Sequence, residues 1–354
     1  MSLTTMKKRS GWPACGGLLL GLLLIALPLA AGDFAVYVSA KQPNTIYVID
    51  PANNKVVQQI KGLGEPHGVN FSPDGKRIYV SGMFDKVLEV VDRGTGKIIK
   101  KIPLSGEPNT IAVTKDGARI FVAIWDRTPG NDAPGALDVI DATSLEKVKS
   151  LPMKAGLHDI TLTPDGKYVV CGSNEIGPNG KFLVVVSVQT EEPVWSIKFD
   201  TGVLVQAFDV NPDGSTHRIF LGRHFLHAFD VVDFAERKVV VEIKLPEVDE
   251  ARIQGYPYDP SHGMAVSPDD KVLWVDSSRG ATVFAYSLPD LKLLSSIPIS
   301  GHPHWLAVSP DSKEVYAASP TGNLVSVIDA KTLKEVAVIP NVYDGERIYT
   351  AARP

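Results

Sequence analysis

The feature that most constrains this chain is a turn that recurs six times. Its aspartates are Asp74 in "SPDG", Asp116 in "TKDG", Asp165 in "TPDG", Asp213 in "NPDG", Asp269 in "SPDD" and Asp311 in "SPDS". Successive spacings are 42, 49, 48, 56 and 42 residues. A near-constant period of this length marks a repeat architecture, in which each unit buries its apolar faces only against its neighbours. Each turn follows a short apolar strand, such as Ile111 to Val113, and precedes a second, such as Arg77 to Val80. A third strand ends in an aspartate or its equivalent: "VLEVVD" (Val87 to Asp92), "ALDVID" (Ala136 to Asp141), "LVSVID" (Leu324 to Asp329). A fourth alternates apolar and charged residues, as in "KIIKKIPL" from Lys97.

Four short strands per period predict the blade of an all-β propeller, four antiparallel strands to a blade. Six units carry all four strands. The chain opens on "FAVYVSA", "TIYVID" and "KVVQQI", which lack a first strand. It ends on "ERIYTAA" (Glu346 to Ala352), a first strand with no follower. The C-terminal strand should therefore complete the opening blade, giving seven blades and a ring without an unpaired edge.

The propeller should occupy residues 33–354, because residues 1–32 read as a secretory signal peptide. Lys7, Lys8 and Arg9 form its positive region, Leu18 to Leu29 its apolar run, and "PLAAGD" offers cleavage after Ala31 or Gly32. The apolar run is short for a membrane span. Localisation is then periplasmic or extracellular, with no membrane span after cleavage. Of the two cysteines, Cys15 lies in the leader, so the mature chain keeps Cys171 and has no internal disulfide. No Cys-x-x-Cys-His occurs, which excludes covalent c-type haem. A net charge of −4 gives no basic field for nucleic acid.

The stretch "RIYVSGMFDKVLEVVDRGTGKIIKKIPLSGEPNTIAVTKDG" resembles the YVTN-type propeller repeat of bacterial and archaeal surface and periplasmic proteins. The resemblance runs from about Phe34 to Pro354. Related-looking propellers include the haem d1 domain of cytochrome cd1 nitrite reductase, that of nitrous oxide reductase, the large subunit of quinone-cofactor amine dehydrogenases, and sugar lactonases. The resemblance implies fold more than function.

Candidate site residues come from the repeat itself. The residue seven positions before each turn aspartate is His67, Asn109, His158, Gln206, His262 or His304, and counting from "IP" gives Glu346 for the remaining blade. All seven are polar, and four of the eight histidines fall on this one ring. Three insertions open on the same face: "IWDRTPGNDAPGA" (Ile124 to Ala136), "SNEIGPNGK" (Ser173 to Lys181) and "EVDEARIQGYPYDPSHG" (Glu247 to Gly263). They contribute Trp125, Arg252, Tyr256 and Tyr258, and "GRHFLHAF" adds Arg223 and His224. Long loops on one face of a rigid scaffold carry binding. The plain alternative is that ring histidines are solvated or bonded to backbone carbonyls. Should they hold a transition metal, His262 and His304, in adjacent blades, with His302 close by, form the best cluster.

Three functions follow. The leading one is non-catalytic binding of a protein partner or small ligand on that face, by a chain expected to be a monomer, with no cofactor required by the sequence. A second is a redox-associated propeller with a metal or non-covalent haem at the axial histidines, although no cytochrome c or electron-entry copper domain is present. A third is a lactonase-like hydrolase with Glu346 as base. No Gly-x-Ser-x-Gly, His-Glu-x-x-His, phosphate-loop or EF-hand pattern occurs, so no catalytic residue is assigned.

Overall fold

The structure is a computed structural model that describes Met1 and residues 34–125, 135–173, 181–249 and 260–353. The signal-peptide reading and most of the three insertions, with Arg252, Tyr256 and Tyr258, lie outside the described residues.

Among the described residues, strands β1 to β28 pair into seven four-stranded antiparallel sheets. The opening sheet joins the two ends of the fold. Strand β28 (Gly345–Ala352) pairs with β1 (Phe34–Ala40), followed by β2 (Thr45–Asp50) and β3 (Lys55–Lys61). Its register sets Phe34 opposite Ala352, Val36 opposite Thr350 and Val38 opposite Ile348. Each other sheet takes four consecutive strands. The seven blades and the closure by the C-terminal strand are as the repeat predicts.

Burial explains why the strands differ in pattern. A second strand such as β5 (Arg77–Gly82) is buried along nearly its whole length, because neighbouring blades cover both of its faces. It therefore reads as a continuous apolar run. The outermost strand, as in β3 or β27 (Lys334–Pro340), alternates exposed and half-buried residues, because one face meets solvent. Apolar clusters form between blades; one joins Val36 and Ile348 of the closing blade with Tyr316 and Val327 of its neighbour.

The repeated aspartates are turn closures. Asp74 Oδ1 accepts from Ser72 Oγ at 2.6 Å and from the Lys76 amide at 3.1 Å, and Gly75 takes a φ of 71°. Thr114–Asp116, Thr163–Asp165, Ser267–Asp269 and Ser309–Asp311 repeat the hydroxyl bond. Third-strand aspartates do the same: Asp92 accepts from the Thr95 amide at 2.8 Å and from its hydroxyl at 2.6 Å. Such local side-chain bonds are the ordinary chemistry of turns.

The first strands pack so closely that some positions admit no side chain. A Cβ on Gly68 would stand 2.4 Å from the Asn109 carbonyl oxygen and 2.8 Å from Thr110 Cα, both backbone atoms of the next blade. Gly68→Ala is expected to destabilise by about 1–3 kcal/mol, the usual cost of forcing backbone apart. An unchanged urea midpoint would contradict this packing.

Candidate functional site

The ring residues arise from a recurrent irregularity in the ladder. In β4 (Pro66–Phe71), Pro66 faces Gly82 and Val69 faces Val80, so two residues, His67 and Gly68, share one partner. The same bulge places Asn109 and Thr110 in β8 (Pro108–Val113), His158 in β12 (Leu157–Leu162) and Glu346 in β28. A bulge re-aims the extra side chain, which is why such positions recur at functional sites.

The register corrects one member. In β16 (Val203–Val210), Val203 faces Arg223 and Val205 faces Gly222, so the extra residue is Leu204, not Gln206. The hairpin between β16 and β17 (Thr216–Arg223) is longer, with Val210 still paired to Thr216, so counting seven back from Asp213 stops two residues short. Leu204 is fully buried. Gln206 lies further along the strand, where its Nε2 donates to the Asp159 carbonyl at 3.1 Å. The register thus gives His67, Asn109, His158, Leu204 and Glu346, and His262 and His304 stand just ahead of the first strands of their blades.

These side chains are packed, not solvated. His67, Asn109, His158 and His262 are each at most 5% exposed. His158 Nδ1 donates to the Leu204 carbonyl at 2.7 Å, and His262 Nδ1 meets the His304 carbonyl at 3.2 Å. Each therefore reaches the ring residue of the next blade. The His262 and His304 rings stack, with centroids 3.9 Å apart and planes 19° apart. His158 stands edge-on to His262 at 5.2 Å, to Trp125 at 5.7 Å and to His224 at 6.1 Å.

At the centre lies a residue that counting along the repeat misses. Arg347 follows Glu346 and is fully buried. Its Nε donates to His67 Nε2 at 3.0 Å and its Nη2 to Asn109 Oδ1 at 3.1 Å. Its Cζ lies 3.9 Å from the Trp305 ring centroid, a cation–π contact. Since His67 Nε2 accepts, the proton belongs on Nδ1, which faces Glu346 Oε2 at 3.3 Å; Glu346 also pairs with Lys41 Nζ at 2.8 Å. A sequence signal for Arg347 existed one residue after the ring. That position reads Gly68, Thr110, Asp159, Val205, Gly263, Trp305 and Arg347, and its only charges are Asp159 and Arg347.

Electrostatics follow from burial. Desolvation, reinforced by the Arg347 charge, holds His67 and His158 well below the ordinary imidazole pKa of 6.5. Desolvation and then His304 do the same to His262. All three are neutral near pH 7. Burial raises Asp159 from 3.8 to about 6, against the pull of Arg347 and the Thr110 hydroxyl. Burial opposes the charge on Glu346 too, but the bond from His67 and the charge of Lys41 outweigh it and hold the carboxyl well below its usual value. Next to this cluster, Thr110, Asp159, Trp305, Tyr349 and Asn70 line a cavity of about 280 Å³. A larger groove, about 580 Å³, lies at the outer edge between Met153 and Trp195 and holds no histidine or carboxylate.

The remaining candidates divide. Arg223 ends β17, where Asp230 at 2.6 Å, Glu242 at 3.2 Å and Asp200 neutralise it within its own blade. His224 is half-buried beside His158. His302 turns Nδ1 to the Ser278 carbonyl at 2.6 Å, and it does not join His262 and His304 in a metal-holding group. Stacking, moreover, sets those two rings face to face instead of aiming them at an ion. Among the described residues no group of three or more His, Cys, Asp or Glu is placed to hold a metal. Cys171 is fully buried and its thiol is pushed far up by desolvation, as befits an inert core residue.

Residues 30–173 match the family described as Cytochrome D1 heme domain, less than half of the chain. Among solved structures, Kuenenia stuttgartiensis hydrazine synthase aligns over 89% of this chain and 99% of that one, at TM-score 0.72 and 20% identity. Dihydro-heme d1 dehydrogenase NirN, in complex with DHE, aligns over 89% of this chain and 65% of that one, at TM-score 0.62 and 16% identity. The chain is a β-propeller similar in fold to these proteins. At such identities the likeness is one of fold. No curated protein matches by sequence.

Proposed function

We propose that this chain is a non-catalytic, exported propeller that binds a small ligand, or a side chain of a protein partner, at the histidine-bearing end of its axis. The observation that carries this reading is Arg347. It is fully buried, yet among the described residues no carboxylate lies within ion-pair distance of it. Burying a charge without a counter-charge costs several kcal/mol, more than its two hydrogen bonds return. A scaffold gains nothing from that arrangement, whereas a binding site does. Binding also suits the chemistry better than lactone hydrolysis. Glu346 is held ionised by Lys41 and His67, and a carboxylate with so depressed a pKa is a poor general base.

The family match raises a haem, and the NirN structure is a complex with DHE. The ring histidines do not fit one. Both nitrogens of His67 face Glu346 and Arg347. His158 and His262 direct Nδ1 to a carbonyl, which leaves Nε2 as the acceptor, but both rings are buried and packed against each other and against His304, with no face open to a macrocycle. Hemin titration is therefore expected to give no stoichiometric Soret change that disappears in His158→Leu or His262→Leu.

The test of the binding reading is native purification followed by denaturation and mass spectrometry of released small molecules. Wild type is expected to release one, and Arg347→Met, of similar volume and without charge, to release none while keeping its circular dichroism. If wild type releases nothing and its tryptophan fluorescence ignores every candidate added, the reading fails.

A further inference from the structure

The donors around Arg347 are incompletely matched, and the mismatch has a definite chemistry. A guanidinium offers five N–H donors in a planar fork. The side edge of the Arg347 fork is occupied, with Nε on His67 and Nη2 on Asn109 Oδ1. Trp305 covers the π face at 3.9 Å. Nη1 has no hydrogen-bond partner among the described residues, so the end-on edge, Nη1 with the second hydrogen of Nη2, is unmatched. Asn109 is fully buried, and its Nδ2 also lacks a partner. Its Oδ1 already accepts from Arg347, so Nδ2 sits on the same carboxamide, beside the fork. One cation and two sets of buried donors are thus gathered with no acceptor.

We infer that Arg347 and Asn109 form a carboxylate subsite, with the end-on edge of the guanidinium taking both oxygens and Asn109 Nδ2 donating to one of them. The inference rests on the binding reading above and adds the ligand's class. A planar bidentate acceptor matches the fork in a way a spherical anion does not. Neighbouring carboxylates do not fill the role: Glu346 is engaged by Lys41 and His67, and Asp159 bonds toward Thr110. The subsite also accounts for Asn109 being an amide where neighbouring blades carry His67 and His158. An amide supplies an acceptor for Arg347 and a donor for the ligand from one plane.

The probe is acetate, added to the full-length mature protein, with thermal unfolding and isothermal calorimetry as readouts. Sodium chloride of equal ionic strength and the neutral isostere acetamide are the controls. Acetate is expected to raise Tm and to bind, whereas acetamide and chloride are not. Asn109→Asp is isosteric and places a carboxylate against Arg347. It should raise Tm without ligand by about 3 °C or more and abolish the response to acetate. Arg347→Lys keeps the charge but loses the fork, and should lose at least tenfold in acetate affinity.

Equal effects of acetate and chloride would overturn the carboxylate assignment. No effect of acetate, together with an unstabilised Asn109→Asp protein, would overturn the subsite and mark these donors as water-satisfied. A molecule recovered from natively purified protein despite such a failure would leave the binding reading intact without this subsite.

Discussion

A chain ending at Asp344 is expected not to fold cooperatively. The missing strand, β28, pairs with β1 from Phe34–Ala352 to Ala40–Gly345. Its loss removes about half a dozen ladder hydrogen bonds, each worth roughly 0.5–1.5 kcal/mol net. It also removes Ile348, whose burial in the core is worth about 1.5–3 kcal/mol, and exposes the edge of β1 as a pairing template. Together these losses approach the whole stability of a typical domain, about 5–15 kcal/mol. Adding a peptide of residues 345–354 in trans should restore near-ultraviolet circular dichroism and a sharp melt. A truncated chain that melts within a few degrees of wild type would show that closure of the ring contributes little.

The architecture was legible because it is written seven times. Any one blade is weak evidence; the period, the turn aspartates and the incomplete units at both ends are mutually consistent, and only a closed ring satisfies all of them. What was hard to read sits where the repeat is broken. Counting from Asp213 puts Gln206 on the ring, which holds only where every hairpin has one length. The longer β16–β17 hairpin moves the register by two, which preserves the face of the strand but brings Leu204 to the level of His67. No local propensity signals this, since two extra residues in a hairpin leave the alternation intact.

Arg347 is hidden for a different reason. The repeat marks the ring as a single position, but a bulge lets two successive residues reach inward. At the position after the ring, Gly68 and Gly263 stand for want of room: a Cβ on Gly263 would meet Asp276 Oδ2 at 2.5 Å and Trp305 Cα at 2.8 Å. The histidines are a third case. Sequence leaves them solvated, bonded to carbonyls or holding a metal; the structure bonds His158 and His262 to carbonyls of the next blade and stacks His262 on His304. Sequence shows which groups are near the axis. Rotamers, which depend on every neighbour, decide what those groups face.

Asp159→Asn is expected to stabilise the protein at neutral pH and to make it more sensitive to acid. Asp159 is 3% exposed, and its pKa rises from 3.8 to about 6 on folding. A group whose pKa is raised on folding favours the folded state below its unfolded pKa and loses that favour as pH climbs through the folded value. At pH 7 the ionised Asp159 therefore costs about 3 kcal/mol relative to a protonated or amide side chain. The neutral isostere removes that cost, and its advantage should shrink as pH falls from about 6 and vanish near 3.8. The histidines have the opposite sign. His67, His158 and His262 are held well below 6.5, so the unfolded chain takes up protons that the folded chain refuses, and stability falls as pH drops below 6.5. Burial lowers His227 as well and adds to that loss. Asp159 and Asp230, the latter also raised by burial to about 6, take up protons in the folded state over much of the same range and oppose it. Asp159→Asn lacks one of these opposing protons, so as pH falls from about 6 it should lose stability more steeply than wild type, by up to about 1.4 kcal/mol per pH unit, the slope for one proton. Both should steepen below 4.5 as Glu346, held ionised in the fold, becomes protonated in the unfolded chain. Urea midpoints across this range measure both slopes. Equal slopes for the two proteins, or a mutant no more stable at pH 7, would mean that Asp159 carries no raised pKa and that the core around Arg347 is better solvated than its burial implies.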